Sequence, residues 1–144
     1  MKRVWSLPLV ALIAMAMFAQ GDVPAHHTAP PAKGAKLPPI LPAPERWGPS
    51  FKYPVQVRAY EVAEKIPNVL YQQPCYCHCD RSVGHTSLHS CFESTHAAHC
   101  DACMKEAFYA YGMSGQNKTP AQIRDGIIRG EWEKIDLETA ASIR

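Results

Sequence analysis

Cys75, Cys77 and Cys79 stand at every second position of the stretch PCYCHCD, and Cys91, Cys100 and Cys103 complete the chain's six cysteines. Thiols at this density bind a soft metal, exchange electrons with disulfides or peroxides, or staple a small fold. Histidine content bears on the choice. His78, His85, His89, His96 and His99 lie among the cysteines, five of the seven histidines, and a disulfide framework has no use for imidazole. A bridge within Cys-x-Cys is also strained. Against this, an even number of cysteines in a small exported domain is what stapling uses, with 15 connectivities open to six.

The elements that must position these groups follow from the pattern. An extended run would turn the sulfurs of Cys75, Cys77 and Cys79 to one side, with Tyr76 and His78 on the other. A helix capped by Thr95, running to about Tyr111 and stopped by a left-handed Gly112, would place His96, His99, Cys100 and Cys103 within an arc of about 100°. With His85 and Cys91 from the connecting segment, the candidate ligands are Cys75, Cys77, Cys79, His85, Cys91, His96, Cys100 and Cys103. That is more than one tetrahedral ion takes, so several metals bind or some cysteines have another task. Thiolate and imidazole suit copper, as Cu(I), or zinc, as Zn(II). Calcium and magnesium would want carboxylates, of which only Asp80, Glu93, Asp101 and Glu106 are near. The Cys100-x-x-Cys103 spacing also occurs in c-type haem attachment and in thioredoxin-like proteins. Met104 follows where haem attachment has His, and no strand pattern precedes the motif. His89 is expected at the surface.

Lys2 and Arg3, the apolar run 4–18 and the small residues before Asp22 read as a secretory signal peptide over 1–21. Residues 22–54 hold nine prolines and read as a disordered, proline-rich linker without a core of its own. Val55, Val57, Tyr60, Val62, Ala63 and Ile66 approximate a helical face ended by Pro67. Ser87 or Ser90 can start a short helix, Ser90 with Glu93 fitting a capping box. Thr119 and Pro120 start a helix whose packing face is Ile123, Ile127 and Ile128. The fold class expected is all-α, a small helical Cys/His-rich domain over 55–130 with a Cys-rich extended loop, followed by a tail over 131–144. Without residues 1–21 the chain has thirteen basic and thirteen acidic residues, a balance that argues against nucleic acid as a partner. Signal cleavage would leave no stable membrane insertion.

PCYCHCD, GHTSLHSCF, HAAHCDAC and IRDGI, taken together over about 60–129, resemble the PCYCGC-motif (CYCXC) family of small exported bacterial proteins. The resemblance points to Cys75, Cys77, Cys79, His85, Cys91, His96, Cys100 and Cys103, and not to His99. His78 stands where many members have Gly, and the lipid-attachment cysteine of the family's lipoproteins is missing. Some members are labelled selenoproteins, which implies chalcogen chemistry beyond stapling, but the resemblance supplies no reaction.

Three functions fit the residues. The first is an exported, periplasmic or secreted, copper- or zinc-binding protein for storage, sensing or delivery, whose partner is another exported metal or redox protein. The second is a thiol redox protein using the CYCHC cysteines. The third is a disulfide-stapled structural or interaction domain. No Ser/His/Asp arrangement, carboxylate pair or phosphate loop supports a hydrolase or kinase, and the residues leave open whether the chain is an enzyme.

Overall fold

The computed structural model describes residues 22–142; the segment 1–21 read as a signal peptide lies outside the described residues. The described residues form helices and turns with no strand, an all-α domain. α1 (Pro54–Lys65) begins with Pro54 at its first position, where a missing N–H costs nothing. Gln56 Oε1 accepts the Tyr53 N–H at 2.8 Å. Its inward face is Gln56, Ala59, Tyr60, Val62 and Ala63, and Pro67 ends it. Pro67 then opens a further short helix, α2 (Pro67–Leu70).

The centre of the domain is α5 (Asp101–Gly115), on which α1, α4 (Leu88–Cys91), α6 (Pro120–Ile128), α7 (Leu137–Ala140) and a 3-10 turn at Glu131–Lys134 all pack. Cys103, Met104, Ala107, Phe108 and Ala110 bury its inner side. α6 starts as its sequence predicts: Thr119 Oγ1 accepts the Gln122 N–H at 3.3 Å, and Gln122 Oε1 accepts the Thr119 N–H at 3.0 Å. Ile123 and Ile127 are fully buried, whereas Ile128 is exposed. The tail beyond Gly130 packs on the domain, Ala140 being buried.

The proline-rich segment is irregular apart from a 3-10 turn at Ala43–Glu45, yet it lies against the domain rather than running free of it. Ile40 and Leu41 are buried, and the Leu41 N–H donates to Phe92 O at 2.8 Å. Arg46 is buried with them; its Nε donates to Leu41 O at 2.7 Å and a second guanidinium nitrogen pairs with Glu64. Proline-rich composition denies this segment helix and sheet, but it still holds two branched aliphatics that gain by leaving water.

Two other expectations are corrected. The helix expected from Thr95 is broken: a 3-10 turn, His96–His99, is followed by Cys100 at φ −134° and ψ 106°, and α5 begins at Asp101. The cause is competition for the backbone. In a continuous helix Ala98 O would accept from Ala102; instead it accepts from Gln56 Nε2 at 2.7 Å, while the Ala98 N–H donates to the Tyr60 hydroxyl at 3.2 Å. The same helix also runs past Gly112 to Gly115, and the left-handed residue beyond its end is Asn117, at φ 60°.

Candidate metal centre

Residues 74–79 are folded rather than extended. Pro74 and Gln73 are buried; Gln73 Nε2 donates to Val69 O and Pro120 O, and its carbonyl accepts the Leu88 N–H at 2.9 Å. The chain then turns, with the His78 N–H donating to Cys75 O at 3.1 Å and His78 in the left-handed region at φ 55°. Cys79 opens α3 (Cys79–Ser82). The expected single face of three sulfurs is therefore wrong in its geometry. The turn gathers the thiols by curling the chain around them.

The result is one sulfur cluster. Cys75 Sγ lies 3.2 Å from Cys77 Sγ and 3.4 Å from Cys103 Sγ, and Cys103 lies 3.7 Å from Cys77. Cys79 Sγ and Cys91 Sγ are 3.3 Å apart. A disulfide bond is about 2.05 Å long, and all six cysteines are free thiols. Cys75, Cys79, Cys91 and Cys103 are buried; Cys77 and Cys100 are half-buried. Cys100, at the start of α5, adjoins Cys103 and Cys77.

Two imidazoles close the open side. His85 Nδ1 is 3.1 Å from Cys79 Sγ and 3.3 Å from Cys91 Sγ, and its ring meets that of His96 edge-on with centroids 4.8 Å apart. His85 follows Gly84, whose φ of +74° is where glycine is tolerated without strain. His96 is held by α1, since the Tyr60 hydroxyl donates to Ser94 O at 2.6 Å and accepts from Ala98. Ligand atoms of Cys75, Cys77, Cys91 and Cys103 lie within 4.8 Å of one another, and so do those of Cys77, Cys79, Cys91 and His96.

The remaining histidines are placed otherwise. His99 is exposed, turned away by the break at Cys100. His89 is not at the surface: it is buried on α4, and its Nδ1 bonds Glu93 Oε1 at 3.0 Å. α4 is a single turn that buries Leu88, His89 and Cys91 together. Glu93, offered by the sequence as part of a capping box, serves that histidine instead.

Glu106 is the residue that spacing did not single out. It is fully buried, and its Oε1 accepts the Tyr76 N–H at 2.8 Å, pinning the turn between Cys75 and Cys77. Burial pushes its carboxyl up to about 8, with the Tyr76 N–H opposing. The one available signal was its position three residues after Cys103, on the same helix face.

Charge within the cluster is uneven. Hydrogen bonds from Cys100, Cys103 and Cys75 hold the Cys77 thiol well below the usual range, and those from Cys75 and Cys91 bring Cys79 down to about 3. Cys75 is pushed up, chiefly by its hydrogen bond with Cys103, and Cys103 by its own with Cys100. Negative charge is thus favoured on Cys77 and Cys79, to which Cys75 and Cys91 donate. Such a set of soft donors is suited to exchanging protons for a metal ion.

A family model described as a protein of unknown function with PCYCGC motif matches residues 50–134. The match covers more than half of the chain, which belongs to that family. No match was found among curated proteins or among solved structures.

Proposed function

We propose that this member of the PCYCGC-motif family binds copper, as Cu(I), or zinc, as Zn(II), through its clustered thiolates, and stores, senses or delivers that metal outside the cytoplasm. The observation that carries the reading is the convergence of six free thiols from α3, α4, α5 and the 74–78 turn, with His85 and His96 at the rim. Sulfurs around a tetrahedral zinc stand about 3.8 Å apart, from Zn–S bonds of about 2.3 Å. The contacts of 3.2 to 3.7 Å need only a small outward relaxation to reach that. The donor set suits a soft ion rather than a hard one, because it offers six sulfurs and two imidazoles against one buried carboxyl, Glu106, of which one oxygen accepts the Tyr76 N–H.

The basic and apolar character of residues 1–18 supports export. Outside the cytoplasm, neighbouring thiols oxidise unless something holds them, and a bound metal does so. The partner would then be another exported metal or redox protein that gives or takes the ion. An anaerobic titration of the reduced chain with Zn(II), and separately Cu(I), against a chromophoric chelator tests the reading. Retention of metal against the chelator is expected; release of both metals at stoichiometric chelator would contradict it.

Thiol redox chemistry is a second reading, favoured by one observation. Cys77 is half-buried, its thiol is held below the usual range, and Cys75 and Cys103 lie beside it. Peroxide would oxidise the Cys77 thiolate to a sulfenic acid, which the Cys103 thiol, 3.7 Å away, would attack, releasing water and forming the disulfide. Peroxide turnover with a thiol reductant, lost in Cys77→Ser, would establish it.

A further inference from the structure

We infer that the centre is dinuclear, with Cys77 and Cys91 as bridging thiolates between one metal held also by Cys75 and Cys103 and a second held also by Cys79 and His96. The inference rests on the metal-binding reading and adds its stoichiometry and the division of labour among the ligands. Its basis is a geometric coincidence: two four-ligand sets exist, each with its ligand atoms within 4.8 Å of one another, and they have Cys77 and Cys91 in common.

Two tetrahedra sharing an edge use six ligand atoms, two of them twice, and six is what the two sets contain together. A single ion in the all-sulfur set would leave Cys79 as a spare buried thiol 3.3 Å from a ligand sulfur on Cys91. A single ion in the other set would strand Cys75 and Cys103, 3.4 Å apart and both buried. Sharing leaves no buried thiol over, and only the half-buried Cys100 stays outside both sets.

Charge points the same way. One divalent ion with four thiolates leaves two negative charges in a dry pocket, whereas two divalent ions with five thiolates and a neutral imidazole leave one. His85, in neither set, has Nδ1 placed to donate to Cys79 and Cys91, the sulfurs on the second metal's side. A hydrogen bond to a coordinated thiolate orients it and draws off part of its charge. Cys100, also in neither set, adjoins Cys77 and Cys103 from outside.

The positions of Cys77 and Cys91 suit bridging. Cys91 is fully buried on α4, facing Cys79 while belonging also to the set with Cys75 and Cys103. Cys77 projects from the turn to within 3.2 Å of Cys75 and 3.7 Å of Cys103, and it belongs also to the set with Cys79 and His96.

The test uses the full reduced chain loaded with isotopically enriched 113Cd(II), whose preference for thiolate follows that of zinc. Two cadmium resonances split by mutual scalar coupling are expected, because such coupling passes through a shared sulfur. A single bound cadmium at saturation, or two resonances without mutual coupling, would overturn the dinuclear bridged centre while leaving metal binding intact. Failure to retain cadmium, zinc or Cu(I) would instead remove the reading beneath it. Zinc stoichiometry gives a second measure, with far-ultraviolet circular dichroism confirming that each variant is helical. Cys77→Ser is expected to fall from two zinc ions to at most one, and Cys100→Ser to keep two; two ions retained by Cys77→Ser would contradict the assignment.

Discussion

Cys75 and Cys103 bring their sulfurs to 3.4 Å across 28 residues of sequence, one from a turn and the other from the first turn of α5. Nothing local produces that meeting. It depends on Glu106, one helical turn beyond Cys103, accepting the N–H of Tyr76, the neighbour of Cys75. The sulfur contact and the carboxyl contact are two rungs between the same pair of segments.

Replacing Glu106 separates its two properties. Glu106→Ala leaves the Tyr76 N–H without its buried acceptor and should lower stability by about 1 to 3 kcal/mol. Glu106→Gln retains an acceptor oxygen and should lose less. Urea unfolding of the reduced chain measures both; equal losses would mean that the hydrogen bond to Tyr76 does not matter.

Tyr60 joins α1 to the turn bearing His96 through two hydrogen bonds of its hydroxyl. Tyr60→Phe keeps the buried ring and its edge contacts with Phe51 and Phe92 but frees Ser94 O and leaves the Ala98 N–H with Thr95 O alone. A loss of about 1 to 2 kcal/mol is expected. Amide exchange should quicken at 96–99 before it changes in α6; uniform quickening would contradict the clamp.

Gly126 is small for a packing reason. A Cβ there would come within 1.9 Å of the Tyr109 hydroxyl oxygen and 2.8 Å of the adjoining ring carbon. Gly126→Ala should therefore cost about 1 to 3 kcal/mol by overpacking, despite the better helix propensity of alanine. Thermal unfolding decides the sign, and a stabilised variant would show that the ring moves freely.

The Tyr109–Glu131 hydrogen bond, 2.5 Å from hydroxyl to Oε2, predicts a pH window. That bond, with Arg129, holds the Glu131 carboxyl below its usual range, so its contribution is present above the unfolded-state pKa and disappears as pH falls through the lower folded value. Burial and the same bond push the Tyr109 hydroxyl up to about 12, so its contribution is complete below about 10 and is lost as pH rises through about 12. Between those limits Tyr109→Phe should be less stable than the parent, and the difference should close in acid. A difference independent of pH would refute the pairing.

Elements set by local chemistry were legible in the sequence. Thr119 and Pro120 start α6 by their own side chains, and Pro67 ends α1 for want of an N–H. What escaped was set by partners distant in sequence. The helix expected from Thr95 breaks because Gln56 and Tyr60, about forty residues earlier, take the backbone groups of Ala98. His89 looked like a surface residue because nothing in its spacing pairs it with a cysteine at a helical repeat, yet the single turn of α4 buries it beside Cys91. For the cysteines, composition indicated a cluster correctly, but the extended geometry assigned to 75–79 was defeated by one residue, His78, in the left-handed region. His85 and His96, named from the sequence among the candidate ligands, are brought together across eleven positions, whereas His99 is turned outward.

Metal removal should expose the thiols to chemistry they otherwise escape. Stripped by chelator, the protein should lose about 3 kcal/mol of apparent stability relative to protein at a hundredfold metal excess over Kd. Its cysteines should then oxidise in air within the pairs Cys75–Cys103 or Cys79–Cys91, the closest approaches outside the strained Cys-x-Cys spacing. Peptide mapping reads the pairs, and oxidation at the same rate with metal bound would contradict protection.

The most direct test of the central claim is native mass spectrometry of the full chain purified without chelator, paired with thiol alkylation after denaturation and metal stripping. A mass excess matching bound zinc or copper, with all six cysteines alkylated, is the predicted result. A metal-free chain six hydrogens lighter than the reduced mass, with no cysteine alkylated, would contradict it and make the protein a domain held by three disulfides.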